Sequence, residues 1–123
     1  MTDLTFEITK AAAFDAAHFL DHGPPSSPYR RMHGHSFRVE ASLRGPAQGP
    51  LGWVEDLGEL DTALKDAAGA LDHGLLNEKH GLESPTLEHL CLHFRGVLQT
   101  RFPNLSRIVV SRPSVGERCE LRL

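Results

Sequence analysis

Residues 32–44 read Met32-His33-Gly34-His35-Ser36-Phe37-Arg38-Val39-Glu40-Ala41-Ser42-Leu43-Arg44. Phe37, Val39, Ala41 and Leu43 alternate with Arg38, Glu40, Ser42 and Arg44, the period of a strand with one buried and one wet face. At its entry His33 and His35 stand two residues apart. They therefore project to the same face, and Gly34 leaves room between the rings. Turn residues at 45–50, GPAQGP, close the strand.

Upstream, Leu4, Phe6 and Ile8 alternate with Thr5, Glu7 and Thr9. This predicts a first strand with one buried face, running through the small residues of AAAFDAAHF (11–19) to His18 at its end. Residues 21–31, DHGPPSSPYRR, hold three prolines, a glycine and two serines and form a loop. If the two strands pair as a hairpin, the end of one meets the start of the other, and His18 lands beside His33 and His35. Three imidazoles around one point are the ligand set of a catalytic zinc with an open fourth position. All three are neutral ligands, so the ion keeps its full charge and polarises a bound oxygen. An HxH pair alone is also what the polar face of an ordinary strand looks like, and spacing by itself leaves both readings open.

Downstream the period changes. Leu57, Leu60, Leu64, Ala67, Ala68 and Leu71 fall at helical spacing with Glu59, Asp61, Lys65 and Asp66 outward, which predicts a helix from about Asp56 to Leu71. Residues 71–84, LDHGLLNEKHGLES, form a second loop. Ser84 suits an N-cap and Pro85 the first helical position. Leu87, Leu90, Cys91, Phe94, Leu98 and Phe102 make the stripe of a second helix, which Pro103 and Asn104 stop. Two strands, at about 107–112 and 118–123, finish the chain around PSVGE. The order β-β-α-α-β-β predicts an α+β fold: a four-stranded antiparallel sheet with two helices on one face.

Composition bounds the function. A chain of 123 residues fits one domain, 1–123. Net charge is -3 with no clustered basic footprint, which argues against a nucleic-acid partner. The first ten residues lack a basic region followed by an apolar run, and no apolar stretch approaches the ~20 residues of a membrane span. Two cysteines, Cys91 and Cys119, make no disulfide framework and fit a cytoplasmic location. Cys91 sits on the helix stripe and Cys119 alternates with Leu121 and Leu123, so both read as core.

Five segments, in order, resemble the 6-pyruvoyl and 6-carboxytetrahydropterin synthase family. FDAAHF (14–19) carries His18, and MHGHSFRVE (32–40) carries His33 and His35. GWVEDLGEL (52–60) opens the first helix, LDHGLLN (71–77) holds Asp72 and His73, and SPTLEHL (84–90) holds Pro85, Thr86 and Glu88. The resemblance implies a T-fold subunit that assembles into a barrel-shaped homo-oligomer, a trimer or a hexamer, with sites at subunit interfaces. It implies Zn2+ on His18, His33 and His35, and 7,8-dihydroneopterin triphosphate as the substrate class. The implied chemistry moves protons along the pterin side chain and expels triphosphate. In the bacterial branch acetaldehyde also leaves, giving 6-carboxytetrahydropterin for queuosine-type deazapurine synthesis. Moving protons between carbons needs a base titrating near working pH. His73 serves as that base with Asp72 orienting it. The pair also reads, more plainly, as a helix C-terminal histidine facing the dipole.

Two positions depart from the family pattern. The family cysteine four residues before HGH is Tyr29 here, and a phenol titrates near ~10 where a thiol titrates near ~8.5. Tyr29 acts as a base only if the metal, Arg30 or Arg31 lowers its pKa. The family glutamate that accepts from the pterin amino and ring N–H groups is Arg112 here. Arginine has donors and no acceptor. Either Glu117 or Glu120 replaces that carboxylate from the next strand, or the ligand differs and Arg112 binds an anion. The expected site is thus metal on His18, His33 and His35; catalysis by Asp72, His73 and Tyr29; and substrate contacts from Thr86, Glu117 and Arg112. Three readings stay open: a pterin-side-chain lyase with a substituted base, a zinc enzyme of the same fold acting on another heterocycle or sugar phosphate, and a non-catalytic pterin- or metal-binding module.

Overall fold

Phe14 and Phe37 face each other across the first two strands, their rings stacked 5.0 Å apart and 8° from parallel. This stack lies toward the histidine end of the hairpin that the alternation predicts. The computed structural model describes residues 4–123. In it β1 spans Phe6–His18, β2 His33–Gly45, α1 Leu57–Gly69, α2 Leu87–Leu98, β3 Leu105–Arg112 and β4 Glu117–Arg122. The sheet order is β1-β2-β3-β4, antiparallel throughout, so β1 and β4 are its edges. Helix α1 packs on β1 and α2 on β3 and β4, which gives the two-layer architecture expected of the T-fold.

The inward face of the sheet supplies Phe14, Ala16, Phe37, Val39, Ala41, Leu43, Ile108 and Val110 to the core. The helices add Leu60, Leu64, Leu90, Cys91, Phe94 and Leu98. Each helix buries one stripe of its 3.6-residue period. Cys91 is fully buried and Cys119 partly so, consistent with a packing role for both.

Three local expectations change. Leu4 and Phe6 are 58% and 52% exposed, so the first strand's apolar face is not buried at its start. Phe6 pairs with Gly45, which has no side chain to pack against it. It opens instead onto a pocket of about 440 Å³ shared with Trp53, Val54 and Leu57. The second helix is capped by Thr86, not Ser84: the Thr86 hydroxyl accepts from the His89 N–H at 3.1 Å. Thr86 is extended, φ -74° and ψ 164°, so the helix begins only at Leu87. That helix also stops at Leu98 rather than at Pro103. Phe102 stays buried through a turn in which its N–H reaches the Leu98 carbonyl at 3.0 Å.

Candidate metal centre and its neighbours

The β1–β2 register runs through Phe14↔Phe37 and Ala16↔His35 to His18↔His33. A period of two then puts all three imidazoles on the inward face, at the end of the hairpin. Their ligand atoms lie within 4.8 Å of one another. His18 is buried, and its Nδ1 lies 3.3 Å from the Pro85 carbonyl. His33 Nδ1 lies 2.7 Å from the Arg31 carbonyl. A carbonyl only accepts, so both Nδ1 atoms carry the proton and both Nε2 atoms present lone pairs. Those two Nε2 atoms sit 3.0 Å apart. Two facing lone pairs at that distance are unfavourable unless something positive lies between them. Tetrahedral ligation at about 2.0–2.1 Å would place such nitrogens about 3.3 Å apart. The donor set therefore fits zinc.

Burial holds the His18 imidazole down at about 4, against the raising effect of the Pro85 carbonyl; His33, His35 and Arg112 depress it further. His35 is lowered by burial first and then by Arg112. Both rings are thus neutral and ready to ligate near neutrality. Gly34 plays no part in their spacing. It belongs to the outward face, where an added Cβ would meet only the Ala16 carbonyl at 3.6 Å.

Asp72 and His73 form a second constellation at the free edge of β1. The Asp15 N–H donates to Asp72 Oδ1 at 2.8 Å, and His73 Nδ1 donates to Asp72 Oδ2 at 2.7 Å. The His73 N–H in turn reaches the Asp15 carbonyl at 2.7 Å, and the Ala17 N–H reaches the Gly74 carbonyl at 2.9 Å. The left-handed conformation of this loop falls on His73 itself, φ 58°, a strained position for a residue with a Cβ. The Asp15 N–H, and then His73, hold the Asp72 carboxyl below its usual range. His73 Nε2 is left free on a largely exposed ring. With Gly74, residues 15–17 of β1 and residues 34–36 of β2, His35 among them, it lines a cleft of about 510 Å³. One chain therefore assembles both the trihistidine, at the end of the β1–β2 hairpin, and the Asp72–His73 pair, along the free edge of β1.

Tyr29 sits in the turn Pro28–Arg30, half exposed, its ring 5.9 Å from His22. Among the described residues no hydrogen bond ties it to the histidines. Arg112 and Glu117 pair across β3 and β4 on the histidine face, with Arg112 Nε 2.8 Å from Glu117 Oε1. The angle is too poor for a hydrogen bond, and the buried Nε has no other partner. Glu120 lies on the outward face, accepting from Arg107 at 3.1 Å and Arg122 at 2.7 Å. Thr86 borders the metal centre through Pro85, and its oxygen caps α2.

Two supports escape sequence reasoning. The carbonyls of Arg31 and Pro85 set the tautomers, and a backbone carbonyl leaves no residue-type signal. Asn77 clamps the chain just after His18, accepting from the Phe19 N–H at 3.0 Å and donating to the Phe19 carbonyl at 2.9 Å. Its position in LDHGLLN, six residues past the helix stripe's last leucine, is the one visible cue.

A four-stranded antiparallel sheet under two helices, with three strand-borne histidines converging at one end, defines a T-fold subunit with a candidate metal centre. The family model described as 6-pyruvoyl tetrahydropterin synthase matches residues 7–122, and the chain belongs to that family, whose members are lyases of pterin biosynthesis. A protein of Archaeoglobus fulgidus, named provisionally for 6-carboxy-5,6,7,8-tetrahydropterin synthase, is 32% identical over 101 residues, covering 82% of this chain and 83% of that protein. The 6-carboxy-5,6,7,8-tetrahydropterin synthase of Synechocystis is 43% identical over 86 residues, 66% of this chain and 65% of that one. Among solved structures, the Caenorhabditis elegans 6-pyruvoyl tetrahydropterin synthase superposes with a TM-score of 0.83 at 18% identity, covering 100% of this chain and 99% of that one. A Wolinella succinogenes protein superposes at 0.77 and 18% identity, over 98% and 99% of the two chains. At these identities the two structures speak for the fold. Among the described residues no helix is long and apolar enough to cross a membrane.

Proposed function

We propose that this chain is a zinc-dependent lyase of the 6-carboxytetrahydropterin synthase type, acting on 7,8-dihydroneopterin triphosphate in pterin or queuosine-type deazapurine synthesis. The observation that carries the reading is the pair of facing Nε2 lone pairs of His18 and His33, 3.0 Å apart beside His35. Zinc held there would supply a Lewis acid toward the substrate's side-chain hydroxyls, with the fourth position left for them. His73 Nε2 is the base, and Asp72 fixes its ring through Nδ1. Tyr29 is the second titratable candidate, Arg112 and Glu117 border the metal on the heterocycle side, and Thr86 borders it from α2.

Asp72 and His73 lie on the free edge of β1 with the His73 ring largely exposed, and the reading has a homo-oligomer in which one subunit's His73 serves a neighbour's metal. A trimer or a pair of trimers fits, because β1 and β4 are edge strands that favour pairing. The test is metal content by elemental analysis, followed by turnover of 7,8-dihydroneopterin triphosphate with release of triphosphate measured. Near-stoichiometric zinc with turnover supports the proposal, and a protein that takes up no zinc overturns it. Arg112 favours a second reading, in which the same zinc fold acts on a different heterocycle or sugar phosphate. Zinc binding without turnover of this substrate would point there, or to a binding module.

A further inference from the structure

Three histidines outside the metal centre, His80, His89 and His93, line one cavity of about 380 Å³ against α2. His89 and His93 stand four residues apart on that helix, so their side chains share a face one turn apart. Two imidazoles at this spacing can hold a single ion. The face is the helix's wet one, since the stripe of Leu90, Cys91, Phe94 and Leu98 is buried on the other side. Gly96 leaves the cavity open, because a Cβ there would meet nothing within 4 Å. His80 joins from the loop before the helix. The His89 ring is held in the way that suits a ligand. Its Nδ1 donates to the Ser84 carbonyl at 2.6 Å, which leaves Nε2 with its lone pair. A carbonyl fixing the far ring nitrogen is the usual support of a metal-bound histidine. The next carbonyl along, that of Pro85, orients His18. Two consecutive residues thus orient one histidine of each set.

We propose that His80, His89 and His93 form a second site, separate from the trihistidine, for a divalent transition-metal ion of the class that imidazole suits, such as Ni2+ or Zn2+. Among the described residues only the trihistidine has three ligand atoms within 4.8 Å of one another. The outer site therefore closes on its ion by rotation of its rings, of which His80 and His89 are exposed and His93 half-buried. The Lys79 charge acts on His93 and opposes a cation. Both features make the outer ion the more weakly held and the more readily exchanged. Zinc retained through dialysis then counts the trihistidine alone, and the outer site fills when an ion is supplied in solution.

The test is calorimetric titration of Ni2+ into the zinc-loaded, dialysed protein, with zinc content measured before and after. Wild type should take up about one Ni2+ per subunit and keep its zinc. His93→Ala should weaken Ni2+ by at least about tenfold, the low end of the loss when only a group supporting a metal ligand is removed. His80→Ala should weaken it too, and His89→Ala together with His93→Ala should abolish uptake. His93→Ala leaves the Ser84 and Thr86 contacts at the start of α2 in place, and its unchanged zinc content would show that it is folded. A wild type that takes up no Ni2+ overturns the proposal, as does a His93→Ala variant that takes it up as wild type does. Ni2+ uptake matched by loss of zinc would mean exchange at the trihistidine and overturns it as well.

Discussion

The trihistidine and the Asp72–His73 pair are both anchored on β1, but different forces hold them. His18, His33 and His35 are fixed by strand register and by two backbone carbonyls, with His18 buried. Asp72 and His73 are fixed by a three-way exchange with the Asp15 backbone and by a left-handed residue, and the His73 ring is largely exposed. A site built on a rigid ladder can be complete within one chain. A site built on an edge loop, facing out, is placed where another copy can meet it. On the proposed function the metal would belong to the subunit and catalysis to the assembly.

The most drastic break of this comparison removes the metal. His33→Ala together with His35→Ala should take zinc from near one per subunit to none and abolish turnover, leaving one imidazole where catalytic sites use three protein ligands. Unchanged zinc content would mean the metal sits elsewhere. Next is His73→Ala, which should lower kcat by roughly 10²–10⁴ if the ring does general acid–base work, with zinc unaffected. Mixing the two inactive variants sharpens the comparison further. Subunits that exchange should recover activity, because some interfaces then join an intact His73 to an intact trihistidine. No recovery after verified exchange would show that each chain serves itself.

The fold was legible because its signals are periodic. Alternation at 37–44 and the leucine stripes at 57–71 and 87–98 each report one buried face, and the hairpin inference that brought His18 to His33 needed only the alternations at 4–9 and 37–44. Leu4 and Phe6 show the limit: alternation says which side a residue faces, but whether anything covers that side depends on how far the helix layer extends. The face assignment also separates Glu117 from Glu120. Three residues apart on a strand they take opposite sides, and Glu117 shares the side of Cys119 and Leu121, which the alternation already marks as inward. The departures at Tyr29 and Arg112 were visible in sequence. That Arg112 is partnered by a carboxylate from the next strand became visible only with the β3–β4 register.

A gentler perturbation uses pH. Burial sets His18 at about 4 in the folded metal-free protein against an ordinary 6.5. The unfolded chain therefore binds a proton that the folded chain does not between those values. Stability is unaffected above about pH 6.5 and declines as pH falls toward 4. Urea midpoints of the metal-free protein should drop between pH 7.5 and pH 5. Zinc should raise the midpoint at pH 7.5 and do so much less at pH 5, where protons compete for the imidazoles. A midpoint flat across this range would mean that His18 is not held neutral by its surroundings.

The smallest effect expected is at Thr86, and it separates two roles. The Thr86 oxygen accepts the His89 N–H at 3.1 Å and so closes the first turn of α2, while the adjacent Pro85 carbonyl orients His18. Removing the hydroxyl with Thr86→Ala should cost about 1 kcal/mol of cap energy, seen as a melting temperature a few degrees lower. Thr86→Ser should restore it. Accepting one hydrogen bond still leaves the hydroxyl proton free to donate, so a contact to substrate is compatible with the cap. If that contact exists, Thr86→Ala should raise KM beyond what the stability loss explains, and Thr86→Ser should bring KM back together with the melting temperature. A variant that melts lower but keeps KM and kcat would assign Thr86 to the helix alone. The substrate side of the metal would then be left to the residues of β3 and β4.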